Sequence, residues 1–123
     1  MFHPTLFRSQ RILVTGGGTG LGRAMAERLL GLGADIIICG RRKDVLDDTA
    51  RAMMAAHGGR VSAHAVDIRD AAAVDAMIGA IWAAGPLTGL INNAAGNFIS
   101  RTEDLSPRGF DAIANIVFHG TFT

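Results

Sequence analysis

The stretch Thr15-Gly16-Gly17-Gly18-Thr19-Gly20-Leu21-Gly22 decides the reading of this chain. It follows the apolar run Ile12-Leu13-Val14 and precedes a segment in which Leu21, Met25, Leu29 and Leu32 recur at helical spacing. A buried strand that ends in a tight turn and re-enters as a helix, with those four residues inward, accounts for the pattern. Glycine in such a turn allows positive φ and lets a ligand come close to the main chain. The helix that starts there aims its first N–H groups and the positive end of its dipole at the turn, a setting that suits a phosphate. The spacing is T-G-x-x-x-G-x-G, on Gly16, Gly20 and Gly22. It is not G-x-G-x-x-G, because Arg23 stands where the last glycine would be. No Gly-Lys-Ser/Thr follows, so a phosphate loop of the NTPase kind is excluded.

Working outward, Gly31 and Gly33 close the first helix, and Ile36-Ile37-Ile38-Cys39 is apolar without alternation, as in a strand covered on both faces. A second helix is expected with Val45, Leu46, Ala50, Met53 and Met54 inward, closed by His57-Gly58-Gly59. Residues 61–66 form a third strand. Asp70 is placed to cap a third helix whose inward face is Val74, Met77, Ile78, Ile81 and Trp82. Gly85-Pro86 breaks the chain, residues 87–91 give a fourth strand, and Ser106-Pro107 opens a last helix with Phe110, Ile113, Ala114 and Val117 on one face. The order β-α-β-α-β-α-β-α defines an α/β fold with a parallel sheet and helices on both of its faces. A sheet cut at Thr123 would leave a strand edge and a helix face bare, so residues 1–123 are expected to be the N-terminal part of a single longer domain.

Composition narrows the function classes. The chain has 123 residues, 49% hydrophobic and 19% charged, a globular balance. Its formal net charge of +1, without a run of Lys or Arg, gives no nucleic-acid groove. Cys39 is the only cysteine, so neither an internal disulfide nor a cysteine cluster for metal is available. No apolar run reaches the roughly 20 residues of a membrane helix. The first ten residues do not read as a secretory leader, and a cytoplasmic location is expected.

The glycine spacing resembles that of the short-chain dehydrogenases/reductases, which share a Rossmann-type doubly wound parallel sheet. The resemblance implies that Gly16, Gly17, Gly18, Thr19, Gly20, Leu21 and Gly22 hold a dinucleotide pyrophosphate. About 20 residues on, where an NAD enzyme places a carboxylate on the ribose, stands Cys39-Gly40-Arg41-Arg42. It carries two guanidiniums and no acid, and Asp35 falls too early. A 2′-phosphate beside Arg41 and Arg42 would gain charge-assisted bonds, so the cofactor is expected to be NADP(H). Asp67, with the main chain of Ile68, is assigned by the resemblance to the adenine amino group; a turn or capping aspartate is the structural alternative. Asn93 and Ala94 are expected to line the cofactor cleft, while Asn92 and Asn93 have an equal claim to bracing the sheet edge.

The segment Asn92-Asn93-Ala94-Ala95-Gly96-Asn97-Phe98-Ile99-Ser100 resembles more specifically the 2,4-dienoyl-CoA reductase branch and the related enoyl-CoA reductases. The family at large has Asn-Asn-Ala-Gly, and a catalytic Asn where this chain has Val117, three residues before Gly120. Thr102-Glu103, Leu105-Ser106 and Gly120-Thr121 also match the branch, whereas Arg101 and His119 depart from it. The resemblance implies hydride transfer from NADPH to an unsaturated acyl-CoA. Asn97 would be the catalytic amide at the thioester, Phe98 would pack on the acyl chain, and Arg69 would meet CoA. Ser106 has two readings, substrate contact and helix cap. The family's Tyr or Ser and Lys are expected beyond Thr123, since the chain has no Tyr and only Lys43, at the start of the second helix. Alone it is expected to be inactive, and the full-length protein is expected to be a homo-tetramer. The rival readings are a carbonyl/alcohol dehydrogenase with another substrate and a non-catalytic nucleotide-binding module.

Overall fold

Alternation along two central strands explains why they are apolar throughout. Ile12, Val14, Ile36 and Ile38 point to one side of the sheet, and Leu13, Ile37 and Cys39 point to the other. All seven are buried, so helices must cover both faces. The computed structural model describes residues 3–94 and 107–108. Its elements run β1 (Arg11–Thr15), α1 (Gly20–Gly31), β2 (Asp35–Gly40), α2 (Lys43–His57), β3 (Val61–Ala65), α3 (Ala71–Ala84) and β4 (Gly89–Ile91). Among the described residues the sheet has the order β3-β2-β1-β4, with every pairing parallel. This is the expected doubly wound α/β sheet. Pro107 and Arg108 are helical, and the rest of the expected last helix lies outside the described residues.

α1 and α2 cover one face, packing Ala26, Leu30, Leu46, Ala50 and Met53 against Ile12, Val14, Ile36 and Ile38. α3 covers the other, with Met77 and Ile81 against Leu13, Ile37 and Cys39. The change of face follows from handedness: right-handed crossovers put α1 and α2 on one side while the sheet grows from β1 to β3. The connection back to β4 then lies on the opposite side.

Two inward faces differ from those expected. In α1 the buried residues are Gly22, Ala26 and Leu30; Leu21 is 71% exposed, and Met25 and Leu29 are half-buried. The stripe is turned by one residue because the first turn of α1 lies almost on the main chain of the glycine loop. A Cβ at Gly22 would fall on the carbonyl of Gly16, so no large residue could face inward there. In α3, Val74 and Ile78 are half-buried as flanks of the core, but Trp82 is 53% exposed. The second helix keeps its expected face, with buried Thr49 added to Leu46, Ala50 and Met53.

Polar anchors fix the ends. The Asp70 carboxylate accepts from the Ala73 N–H at 3.1 Å and caps α3 as expected. At the other end of α3 the Arg11 guanidinium donates to the carbonyls of Ile81, Gly85 and Pro86. That places a cation on the negative end of the helix dipole. Thr88 bonds to the Arg11 main chain from both its N–H and its hydroxyl, just before β4 begins.

Candidate functional site

The order of the sheet reverses between β1, whose chain goes on to β2, and β4, on its other side. Connections leave that point toward opposite faces, which opens a crevice at the carboxyl ends of the strands. A cleft of about 390 Å³ lies there, within the range of small-ligand sites. Every strand contributes to its wall just past its last residues: Gly16 after β1, Arg41 after β2, Val66 after β3, and Asn93 with Ala94 after β4.

The glycine loop divides into two sides. Thr19, Gly20 and Leu21 are exposed and line the cleft. Gly20 has φ 56°, and a Cβ there would meet nothing within 4 Å. Leu21, 71% exposed, borders the cleft beside it. Gly17, Gly18 and Gly22 are buried on the other side. A Cβ at Gly17 would come within 2.5 Å of Ile38, so Gly17 and Gly22 set how closely the loop sits on the sheet rather than lining the cleft. Gly18 borders an adjoining cleft of about 210 Å³, together with Arg41 and Arg42.

Two hydroxyls hold this wall in place: that of Thr15 in the glycine motif, to which the sequence assigned no role of its own, and that of Thr49, which it did not single out. Thr15, 7% exposed, accepts at Oγ1 from the N–H groups of Asn93 and Ala94, both at 3.0 Å, and donates toward the Ile91 carbonyl at 3.4 Å. It ties the end of β1 to the turn after β4. Thr49 on α2, 3% exposed, donates to the Gly18 carbonyl at 2.8 Å. The only signals for them were a threonine ending an apolar strand and a threonine on an apolar helix face. The Asn93 amide reaches the Gly16 carbonyl at 3.4 Å, so this asparagine both braces the loop and lines the cleft.

The opposite wall carries charge. Asp67, Ile68 and Arg69 line it, and Asp67 and Arg69 pair with each other at 2.7 Å. Hydrogen bonds from the Arg69 side chain, and then from its backbone N–H, hold the Asp67 carboxyl down at about 2. Arg69, which the sequence assigned to CoA, thus sits in the same cleft as the expected cofactor residues. Arg41 lines both clefts, and among the described residues no carboxylate pairs with it. Arg42, the residue before α2, pairs loosely with Asp44 at 3.8 Å, both side chains 76% exposed. Cys39 forms part of the floor, and burial pushes its thiol up to about 11. Asn97, Phe98 and Ser106 lie outside the described residues.

This arrangement fits a dinucleotide. The start of α1 has no acidic residue in its first turn, and the Thr19 side chain makes no capping bond, so the helix end is open to an anion. Among the described residues the cleft holds two guanidiniums against one carboxylate, and the carboxyl end of β2 offers no acid to a ribose. Among the described residues no group of three or more His, Cys, Asp or Glu could hold a metal ion, and no helix is long and apolar enough to cross a membrane.

A family model described as short chain dehydrogenase matches residues 10–123, and the chain belongs to that family. Among its relatives is a probable 2,4-dienoyl-CoA reductase [(2E)-enoyl-CoA-producing] of Bacillus subtilis, 41% identical over 90% of this chain and 44% of that protein. A peroxisomal 2,4-dienoyl-CoA reductase [(3E)-enoyl-CoA-producing] of Arabidopsis thaliana is 39% identical over 98% of this chain and 41% of its own length. This chain spans less than half the length of these curated relatives. Among solved structures, a citronellol catabolism dehydrogenase of Pseudomonas aeruginosa PAO1 superposes with a TM-score of 0.92 at 39% identity, over 99% of this chain and 50% of that one. A metagenomic short-chain oxidoreductase in complex with NADP superposes with a TM-score of 0.86 at 29% identity, over 94% of this chain and 53% of that one.

Proposed function

We propose that the full-length protein is an NADPH-dependent reductase of unsaturated acyl-CoA thioesters, and that residues 1–123 supply its nucleotide site. The observation that carries the cofactor assignment is Arg41: it stands just past β2, on the same cleft as the glycine loop, and among the described residues no carboxylate lies within ion-pair distance of it, Asp67 acting on it only at longer range. The loop and the start of α1 would hold the pyrophosphate, Arg41 the 2′-phosphate with Arg42 at its edge, and Asp67 with Ile68 the adenine. Bound NADPH would supply the hydride. The substrate class is supported by the Asn92–Ser100 segment and by the reductases to which the chain is similar. In this reading the Asn97 amide N–H steadies the thioester oxygen, where negative charge gathers as a conjugated acyl thioester is reduced. Phe98 lies along the acyl chain, and Ser106 serves the substrate or caps the helix that Pro107 begins. The protein assembles as a homo-tetramer, a state that light scattering measures.

Calorimetric titration of the full-length protein tests the cofactor. NADPH is expected to bind about tenfold to a hundredfold more tightly than NADH, the worth of a hydrogen bond to a charged group. Arg41→Ala is expected to erase that preference and leave NADH binding unchanged. Equal binding of the two nucleotides by the wild type would sink the assignment. The similarity to the citronellol catabolism dehydrogenase favours a second reading, in which the same nucleotide site serves an isoprenoid substrate. Steady-state assays with a 2,4-dienoyl-CoA beside a free isoprenoid aldehyde separate the two; turnover of the aldehyde alone would replace the first reading by the second.

A further inference from the structure

The turn from β3 to α3 builds one rigid acceptor. The Val66 N–H bonds to the Gly40 carbonyl at 2.7 Å, and the Asp70 N–H bonds to the Asp67 carbonyl at 2.9 Å, so the main chain on both sides of Asp67 is tied down. Its carboxylate meets three N–H groups of a single residue. Oδ1 accepts from the Arg69 backbone N–H and from Nε, both at 3.0 Å, and Oδ2 accepts from Nη2 at 2.7 Å, with Nε also 3.2 Å away. A carboxylate has about four acceptor sites, so Arg69 leaves roughly one of them free, on Oδ2. The Asp67 side chain is 34% exposed and lines the cleft, so that remaining site is open to a ligand. A carboxylate held ionised only accepts hydrogen bonds; it welcomes an amino group and repels an oxo group at the same place.

We infer that Arg69 is a positioning residue: by filling the other acceptor sites of Asp67 and fixing its rotamer, it makes the base end of the cleft select a purine that carries an exocyclic amino group over one that carries an oxo group there. The inference rests on the reading that this cleft takes a dinucleotide, and it deepens that reading by naming what sets the base preference. Without the Arg69 side chain the Asp67 carboxylate keeps only the backbone N–H of residue 69 on Oδ1; Oδ2 loses its fork and draws water, and the two kinds of base become more nearly alike to it.

The test measures dissociation constants of the full-length protein for NADPH and for its hypoxanthine analogue, by nucleotide fluorescence. The wild type is expected to prefer NADPH by about tenfold, the worth of one charge-assisted bond against a repulsion. In Arg69→Met the ratio is expected to fall to about threefold or less. Arg69→Lys, which keeps the charge and loses the fork, is expected to fall between, and stands in should the methionine variant not fold. Equal binding of the two nucleotides by the wild type would overturn the inference. So would an unchanged ratio in both variants with only the KM for acyl-CoA raised, which would make Arg69 a substrate contact. Failure of the wild type to bind NADPH at all would overturn the dinucleotide reading, and this inference with it.

Discussion

The glycine-loop wall and the Asp67–Arg69 wall face the same cleft but are held by different forces. The first rests on buried, neutral contacts: Thr15 and Thr49 are almost fully enclosed, and Gly17 and Gly22 leave no room for a side chain. The second rests on an ion pair whose side chains are 34% and 37% exposed. Buried polar groups are expensive to leave unpaired, whereas exposed pairs are screened by water and contribute little to stability. The first wall should therefore fail by unfolding, and the second should fail only in what it recognises.

Substitutions can break or sharpen this contrast. The largest effect is expected at Gly22→Ala, whose Cβ would collide with the Gly16 carbonyl and come within 2.5 Å of the Asn93 amide nitrogen. A loss of about 3 kcal/mol is expected in urea denaturation, at the upper end for overpacking. Thr15→Val comes next. It keeps the shape but leaves the Ala94 N–H without its acceptor and the Asn93 N–H with the Ile91 carbonyl alone, for a loss of about 2 kcal/mol by the same measurement. Thr49→Val removes the single bond to the Gly18 carbonyl and is expected to lower stability by about 1 kcal/mol.

Asp67→Asn should barely move the midpoint at neutral pH, and its signature lies in acid. The folded state lowers this carboxyl from an ordinary 3.8 to about 2, so its contribution is whole above about pH 5, fades as the pH falls through 3.8, and is lost as the pH passes below 2. Thermal melts of wild type and variant should keep a constant, small separation above pH 5 and converge near pH 2. Arg42→Ala, at a loose and exposed pair, should change stability within about 0.5 kcal/mol. An Asp67→Asn loss larger than that of Thr15→Val would refute the contrast between the walls.

The sheet and the loop were legible because they rest on local signals. Unbroken apolar runs mark strands buried on both faces, and glycines between a strand and a helix mark a phosphate turn. The face of α1 was legible only in part: Leu32 is buried and Leu29 packs against the core as hydrophobic periodicity favours, but Leu21 is exposed. Packing instead selects by size, and close approach of helix to loop brings Gly22 and Ala26 inward. Trp82 misleads for a related reason: an apolar residue at helical spacing need not be covered, and here it is half in solvent. Thr15 was legible as a motif residue, but the bonds of its hydroxyl and of that of Thr49 were not. Their partners lie 76 to 79 and 31 residues away in sequence, and only the fold brings them together. Arg69 was named for a CoA phosphate, and its partner two residues back was invisible to a reading that sought a distant anion for it.

Cys39 gives the molecule a clock of its own. Its sulfur is sealed in the cleft floor, 0% exposed, and its ionisation is pushed up to about 11, so at neutral pH it is neither reachable nor nucleophilic. Alkylation can proceed only in the brief intervals when the end of β2 parts from the glycine loop. Because it is the sole thiol of residues 1–123, the rate at which the peptide that carries it takes up maleimide, followed by mass spectrometry, counts those intervals without any engineered probe. A ligand that bridges loop and strand would slow the clock by a factor of one plus the ratio of its free concentration to its Kd, about a hundredfold at a hundred times its Kd, and would report occupancy with no turnover needed.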